Sequence, residues 1–327
     1  MAYNALSARK GAVVVTNPRT GEVLAMVSKP DFEPGTIKQD WDSLIADTSP
    51  DAKLLNRATQ GLYPPGSTFK IVTALAYIKE HPQDYNNYRF TCSGRFTYEG
   101  ESISCYHGEN HGSVDFVKSF AQSCNSSFAN IGLGVSRNVF SQTLDQLLFG
   151  KELPIDLLYS KSSASINAGT STGDVMQLSI GQGATSVTPM HMNMITQAIA
   201  NDGMLMKPYF VSAIKSEDGK NVKTYSQSSY KRLMTADQAQ TLQSIMKEVV
   251  EQGTASKLKG LSYTAAGKTG SAEFTDSTTD SHAWFTGFAP AEDPEICVTI
   301  IVENAGSGGS FAVPIAKRIF DAYFGVE

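Results

Sequence analysis

Strand-like runs stand at both ends of this chain, and helical periodicities fill its middle. Near the start, Ala12-Val13-Val14-Val15 and Val23-Leu24-Ala25-Met26-Val27 flank Asn17-Pro18-Arg19-Thr20-Gly21, so Gly11–Lys29 reads as a hairpin with a Pro- and Gly-containing turn. A polar, Pro-containing stretch follows to about Leu62. Near the end, Tyr263–Phe274, Ala283–Phe288 and Glu295–Glu303 read as strands, and Phe311–Phe324 as a closing amphipathic helix. From about Val114 to Ala200 the patterns are mainly helical, as in Val114–Gly132 and Thr188–Asn201. Strands at both ends around a helical middle imply one sheet built from both termini, with a helical lobe inserted. Periodicity alone predicts an α/β or α+β fold in a single discontinuous domain. The expected sheet lobe covers about 11–62 and 203–327, and the helical lobe about 63–202.

Composition narrows the function classes. A chain of 327 residues, 41% hydrophobic and 18% charged, can bury a large core. Its net charge of −5 argues against nucleic acid as a main partner, because phosphate binding wants a basic surface. No apolar run reaches the roughly 18 residues that a membrane span needs, and no basic-then-apolar leader opens the sequence. Met1-Ala2 run straight into folded-looking sequence, so an anchor or targeting segment is expected to lie outside this stretch.

The sharpest local punctuation is Tyr63-Pro64-Pro65-Gly66, followed by a helical run from Ser67 to Ile78. Ser67 and Lys70 then fall on one helical face about one turn apart. A serine hydroxyl is a weak nucleophile unless a base takes its proton, and a neutral Lys70 could do so. The helix N-terminus would favour negative charge developing near Ser67. Alone the pattern is weak, since Ser-x-x-Lys also begins at Ser7, Ser212, Ser228, Ser244 and Ser256. Ser123-Cys124-Asn125 places a hydroxyl and an amide at a break between helical segments, although Ser136-Arg137-Asn138 and Ser165-Ile166-Asn167 match it too. Lys268-Thr269-Gly270 occurs once, in a predicted strand where Gly allows close approach of a substrate carrying a carboxylate.

Taken together, in this order, the three elements resemble the active-site set of penicillin-binding proteins and serine β-lactamases. Tyr63-Pro-Pro-Gly-Ser-Thr-Phe-Lys70 is similar to the active-site helix start of class B penicillin-binding proteins. Asn17-Pro-Arg-Thr-Gly-Glu-Val-Leu-Ala-Met26, Gly181-Gln182-Gly183, Val187-Thr188-Pro189, Lys268-Thr-Gly-Ser-Ala-Glu273 and Ala283-Trp-Phe-Thr-Gly-Phe-Ala-Pro290 extend the resemblance over nearly the whole chain. It implies a five-stranded antiparallel sheet flanked by helices, plus the inserted helical lobe. It further implies a peptidoglycan D,D-transpeptidase acylated at Ser67 by the stem peptide and inhibited by β-lactams. Lys70 would be the base, helped by burial beside Lys268. Ser123 would relay a proton to the leaving amine, and Asn125 would hold Lys70 and the substrate amide. Lys268 and Thr269 would bind the substrate carboxylate along the Gly270 strand, and the N–H groups of Ser67 and Ser271 would form the oxyanion hole. The resemblance also implies the outer face of a bacterial membrane and a membrane glycosyltransferase partner. A class A β-lactamase would need a Glu-x-x-x-Asn loop between the second and third elements, where Glu217-Asp218-Gly219-Lys220-Asn221, a polar stretch with a turn-forming Gly, is the one match. A class D enzyme would need an aliphatic residue in place of Asn125. A non-catalytic β-lactam sensor and a carboxypeptidase of the same fold remain alternatives.

Cys92, Cys105, His111 and Cys124 form a second cluster, spaced C-x12-C-x5-H-x12-C. Three thiols and an imidazole suit tetrahedral zinc, and some elongation-type relatives implied by the resemblance carry zinc in this region. Cys124 is the middle residue of Ser-x-Asn, so a metal there would brace Ser123 and Asn125 from behind. A Cys92–Cys105 disulfide and unlinked thiols are the other readings. Cys297, His191 and His282 read as structural, His81 as solvated, and the aromatics of Phe311–Phe324 as core.

Overall fold

A computed structural model describes residues 1–273 and 281–326. After a short helix α1 (Ala2–Leu6), β1 (Gly11–Thr16) and β2 (Val23–Lys29) form the expected hairpin. The polar stretch that follows contains α2 (Ile37–Ala46), none of whose residues is buried. A 3-10 turn (Gly66–Phe69) leads into α3 (Lys70–Glu80). Two small ribbons come next: β3 (Arg89–Cys92) pairs with β6 (Gly112–Asp115), and β4 (Arg95–Tyr98) pairs with β5 (Glu101–Ser104). The helical middle comprises α4 (Phe116–Ala121), α5 (Asn125–Leu133), α6 (Arg137–Gln146), α7 (Thr172–Ser179) and α8 (Pro189–Ala200). Short pairs β7 (Met204–Met206) with β10 (Ser229–Arg232), and β8 (Ala213–Lys215) with β9 (Asn221–Thr224), precede α9 (Ala236–Glu251). The chain ends with β11 (Ala266–Glu273), β12 (Ser281–Ala289), β13 (Ile296–Val302) and α10 (Gly308–Phe324).

The sheet has the order β11-β12-β13-β1-β2 and is antiparallel throughout. Both ends of the sequence therefore meet at its centre, where Val14 lies opposite Thr299. Every residue of β1, β12 and β13 is buried. Successive residues of a strand point to opposite faces, so full burial means that both faces are covered. Helices α8 and α10 pack on these strands. All of α8 is buried, which forces its polar residues to find partners. Asn193 accepts from the Thr16 hydroxyl at 2.9 Å, and Thr196 shares a hydrogen bond with Thr286 at 2.6 Å. Thr188 caps the helix and Pro189 fills its first position, as the predicted start requires.

Three expectations change. The helical pattern read over Val114–Gly132 starts later than expected, since Val114 lies in β6 and Asp115 caps α4, while the break read at Ser123-Cys124-Asn125 is present, with Cys124 capping α5 through its sulfur. The Asp115 cap outweighs an apolar periodicity that runs back past it. The strand expected over Tyr263–Phe274 begins at Ala266, and Phe274 lies outside the described residues. Helix α9, with a capping box between Thr235 and Gln238, and helix α2 were not anticipated.

The segment that delivers Ser67 is tethered to the sheet by a buried ion. Arg57 is 1% exposed. Its Nε donates to Glu303 Oε1 at 2.8 Å, and Tyr63 donates its hydroxyl to the same oxygen at 2.8 Å. Trp284 Nε1 adds a bond to the carbonyl of Pro64 at 3.1 Å. Removing Arg57 takes the fully buried cation from Glu303 and leaves that carboxylate, among the described residues, only the Tyr63 hydroxyl and Lys10 at 3.5 Å. Arg57→Met is therefore expected to lower unfolding free energy by about 3 kcal/mol, measured by urea denaturation. An unchanged midpoint and slope would refute this role for the pair.

Candidate active site

The nucleophile candidate sits on a turn that only glycine can make. Gly66 has φ +52°, and a Cβ there would lie 2.8 Å from the carbonyl oxygen of Ser271. This close approach sets Ser67 against strand β11. Ser67 lies in the 3-10 turn rather than in the α-helix proper, with the Lys70 N–H donating to its carbonyl. The Gly181 carbonyl accepts from the Gly66 N–H at 3.0 Å, and Tyr63 exchanges backbone hydrogen bonds with Val187. The Gly181-Gln-Gly183 and Val187-Thr-Pro189 motifs thus support the turn from behind.

Lys70 opens α3 and is completely buried. Its Nζ donates to the Ser123 carbonyl at 2.6 Å, to Asn125 Oδ1 at 2.7 Å and to Ser123 Oγ at 3.2 Å. Ser123 stands between α4 and α5 with φ +58°, a conformation rare for a residue with a side chain. Lys268 reaches the same hydroxyl from β11: its Nζ donates to Ser123 Oγ at 2.9 Å and to the Thr269 carbonyl at 3.1 Å. Three sequence elements separated by up to 198 positions (Lys70 to Lys268) therefore converge on one hydrogen-bond network, with Ser67 three residues before Lys70. The Lys268 ammonium faces Ser123.

Neither lysine has a carboxylate partner among the described residues. Burial pushes Lys70 down to about 7, against a smaller upward pull from Cys124 and Cys105. Lys268 is held well below its usual range, first by burial and then by repulsion from Lys70. A cleft of about 850 Å³ opens over this network. Ser67, Ser123 and Asn125 line one side, and Thr269, Gly270 and Ser271 of β11 the other. As β11 is the outermost strand, its free edge is available to an extended ligand. Two participants were not legible in the sequence. Thr254 shares a hydrogen bond with the Thr269 hydroxyl, and the Ser104 carbonyl accepts from Asn125 Nδ2 at 3.1 Å. Both come from elements remote from the motifs, with no spacing pattern to link them.

Cys92, Cys105, His111 and Cys124 also converge, their four ligand atoms within 4.8 Å of one another. The sulfurs of Cys92 and Cys105 are 3.6 Å apart, those of Cys105 and Cys124 3.7 Å, and Cys92 Sγ stands 3.5 Å from His111 Nδ1. A disulfide needs about 2.05 Å. A tetrahedron with zinc–sulfur bonds of about 2.3 Å and a zinc–nitrogen bond of about 2.05 Å spaces its ligand atoms by about 3.6 to 3.8 Å. The donor chemistry suits zinc, and these three of the six separations lie near those of such a tetrahedron. His111 Nε2 points to Glu109 at 3.7 Å, the carboxylate that commonly orients a ligating imidazole. Hydrogen bonding, first from Cys124, draws the Cys105 thiol far below its usual range, and Cys105 in turn pushes His111 up to about 9.

The remaining candidates are structural. His191 is buried, held neutral by desolvation that pushes it down to about 4, and bonded through Nε2 to the Leu147 carbonyl at 2.7 Å. His282 packs edge-on against Tyr63 at 5.4 Å. His81 is not simply solvated, since its ring lies 4.4 Å from Tyr77 and its Nδ1 3.5 Å from Asp84. Cys297 is a fully buried core residue.

Comparison with known proteins follows from this geometry. The profile of the penicillin binding protein transpeptidase domain matches residues 11–321. The peptidoglycan D,D-transpeptidase PbpA of Mycolicibacterium smegmatis is 31% identical over 341 residues, covering 96% of this chain and 67% of that protein. The peptidoglycan D,D-transpeptidase MrdA of Acinetobacter baumannii is 31% identical over 350 residues, covering 98% of this chain and 52% of that protein. The chain thus spans about two thirds of the first relative and about half of the second. Penicillin-binding protein A of M. tuberculosis, solved as a ceftriaxone acyl-enzyme, superimposes with a TM-score of 0.88 at 27% identity, over 98% of this chain and 76% of that one. With its five-stranded antiparallel sheet and its match over almost the full length, this chain belongs to the penicillin-binding protein transpeptidase family, the serine D,D-transpeptidases of class B.

Proposed function

We propose that this domain cross-links peptidoglycan by acyl transfer through Ser67, and that Lys70 is the base. The observation that carries the reading is the buried Lys70 ammonium, bound by Ser123 and Asn125 and depressed to about 7, one turn from Ser67. In its neutral form Lys70 accepts the Ser67 proton as Oγ attacks the carbonyl of the penultimate D-Ala of a stem peptide. The N–H groups of Ser67 and Ser271 stabilise the resulting oxyanion. Ser123, in contact with both Lys70 and Lys268, passes a proton to the departing amine of the terminal D-Ala. The amine of a neighbouring stem peptide then attacks the ester, loses its proton to the same network and regenerates the Ser67 hydroxyl. A β-lactam acylates the same oxygen, but its leaving group stays tethered and blocks the second step.

In the cell the domain would work on the outer face of a bacterial membrane, beside a membrane glycosyltransferase that supplies glycan strands. No helix among the described residues is long and apolar enough to cross a membrane, so any anchor would lie elsewhere. Cys92, Cys105, His111 and Cys124 would hold one structural zinc, which takes no part in the acyl transfer. Two of these ligands flank the network directly: Cys124 separates Ser123 from Asn125, and Cys105 follows Ser104, whose carbonyl binds Asn125.

Intact mass after mixing with excess penicillin tests the nucleophile: a single persistent adduct is expected on the wild type and none on Ser67→Ala. An adduct that survives Ser67→Ala would place the nucleophile elsewhere. Acylation needs neutral Lys70, so its rate should rise as pH increases through about 7 and level off above it. A rate independent of pH across that range would remove Lys70 as the base. For the metal, native mass should exceed denatured mass by one zinc, and Cys105→Ser should lose the zinc together with thermal stability. Full zinc retention in Cys105→Ser would overturn the ligand assignment.

A further inference from the structure

A donor peptide ends in a carboxylate, and the cleft must offer that charge a partner. Lys268, expected to bind that carboxylate together with Thr269, and Lys70 are both fully buried and do not line the cleft. Lys70 is engaged by Ser123 and Asn125, and Lys268 by Ser123 and the Thr269 carbonyl. Burial, and then the nearby Lys70, hold Lys268 well below its usual range. Thr269 supplies a hydroxyl, already hydrogen-bonded to Thr254, and no charge.

Among the described residues lining the cleft, the one Lys or Arg is Lys257. It lies on the 3-10 turn Ser256–Leu258, which packs on α10, and it is exposed. Its neighbour Lys259 pairs with Glu251 at 3.5 Å, whereas Lys257 makes no ion pair among the described residues. Thr254, three residues earlier, touches Thr269 directly, so this turn adjoins the β11 wall of the cleft. The beginning of α10 completes the same wall, with the Gly308 N–H donating to Ser271 Oγ at 3.4 Å and Ser310 also lining the cleft. The one carboxylate in the lining, Glu109, stands beside His107 and His111 of the cysteine-cluster loop.

We infer that Lys257 is a specificity-determining residue that attracts and orients the terminal carboxylate of the donor peptide, and likewise the carboxylate of a β-lactam. The inference rests on the acyl-transfer reading above. Lys257 contributes charge, and Thr269 and Ser271 contribute hydrogen bonds. Because it is exposed, its effect is screened by salt and is modest in size.

The test compares two thioester donors that differ only at the leaving group, an acyl-D-Ala thioglycolate and its carboxamide. Acylation rates are measured for the wild type, Lys257→Gln and Lys257→Arg. The wild-type preference for the carboxylate donor should fall about three- to fivefold in Lys257→Gln and return in Lys257→Arg. The carboxamide rate and the melting temperature should stay unchanged, and penicillin acylation of Lys257→Gln should lose part of its salt dependence. An unchanged carboxylate preference would overturn the inference. So would an equal loss on both donors, which is what a merely structural role would produce. A wild type that neither donor nor penicillin acylates would instead defeat the acyl-transfer reading itself, whatever Lys257 does.

Discussion

Two buried lysine side chains share one half-buried serine hydroxyl, and much of this molecule can be understood as the means of holding them there. An ammonium taken out of water without an anion is costly, and a second one beside it is more so. The cost is limited by hydrogen bonds from Nζ to oxygens of Ser123, Asn125 and Thr269, by the ring faces of Phe128 and Phe120 at 5.4 and 5.6 Å, and by loss of a proton. That last response is the chemically useful one. A lysine depressed to about 7 is a base at neutral pH, whereas an exposed lysine is not.

Such a network requires a rigid frame, because a neutral amine in the wrong place is not a base for Ser67. The frame is built from backbone. Gly66 brings the Ser67 turn against β11, and Ser123 takes a left-handed conformation between two short helices. Arg57 and Tyr63 fix the approach segment to Glu303, just beyond β13, and Trp284 of β12 fixes it through Pro64. The cysteine cluster adds a tie on the other side, as Cys124 lies within the Ser123–Asn125 turn and caps α5. Strain at Ser123 is thereby opposed by contacts on every neighbouring element.

Much of this was legible in the chain itself. The terminal strands carry uninterrupted apolar runs because both faces of the sheet are covered, and such runs can be read directly. Ser67, Lys70 and Lys268 stand in sharply punctuated motifs. The break at Ser123-Cys124-Asn125 was also legible, but the start of the helix before it was not, because apolar spacing runs back to Val114 and only the capping role of Asp115 sets the boundary. Helix α2 escaped notice for the opposite reason: it buries nothing, so no apolar stripe marks it.

The sequence by itself determined the strands near both termini and the closing helix, the order of the three motifs, and which side chains carry hydroxyl, amine, thiol and imidazole groups at the proposed sites. These follow from local chemistry, namely turn residues, strand periodicity and side-chain functional groups. Only the tertiary structure decided that Lys70 and Lys268 meet at Ser123, that Thr254 supports Thr269, that Lys257 joins the cleft wall, and that the Cys92 and Cys105 sulfurs stand at ligand spacing rather than bonding distance. Each of these depends on contacts between residues far apart in sequence. Their distances and the pKa shifts they cause arise from burial shared among several elements, which no single stretch of chain encodes.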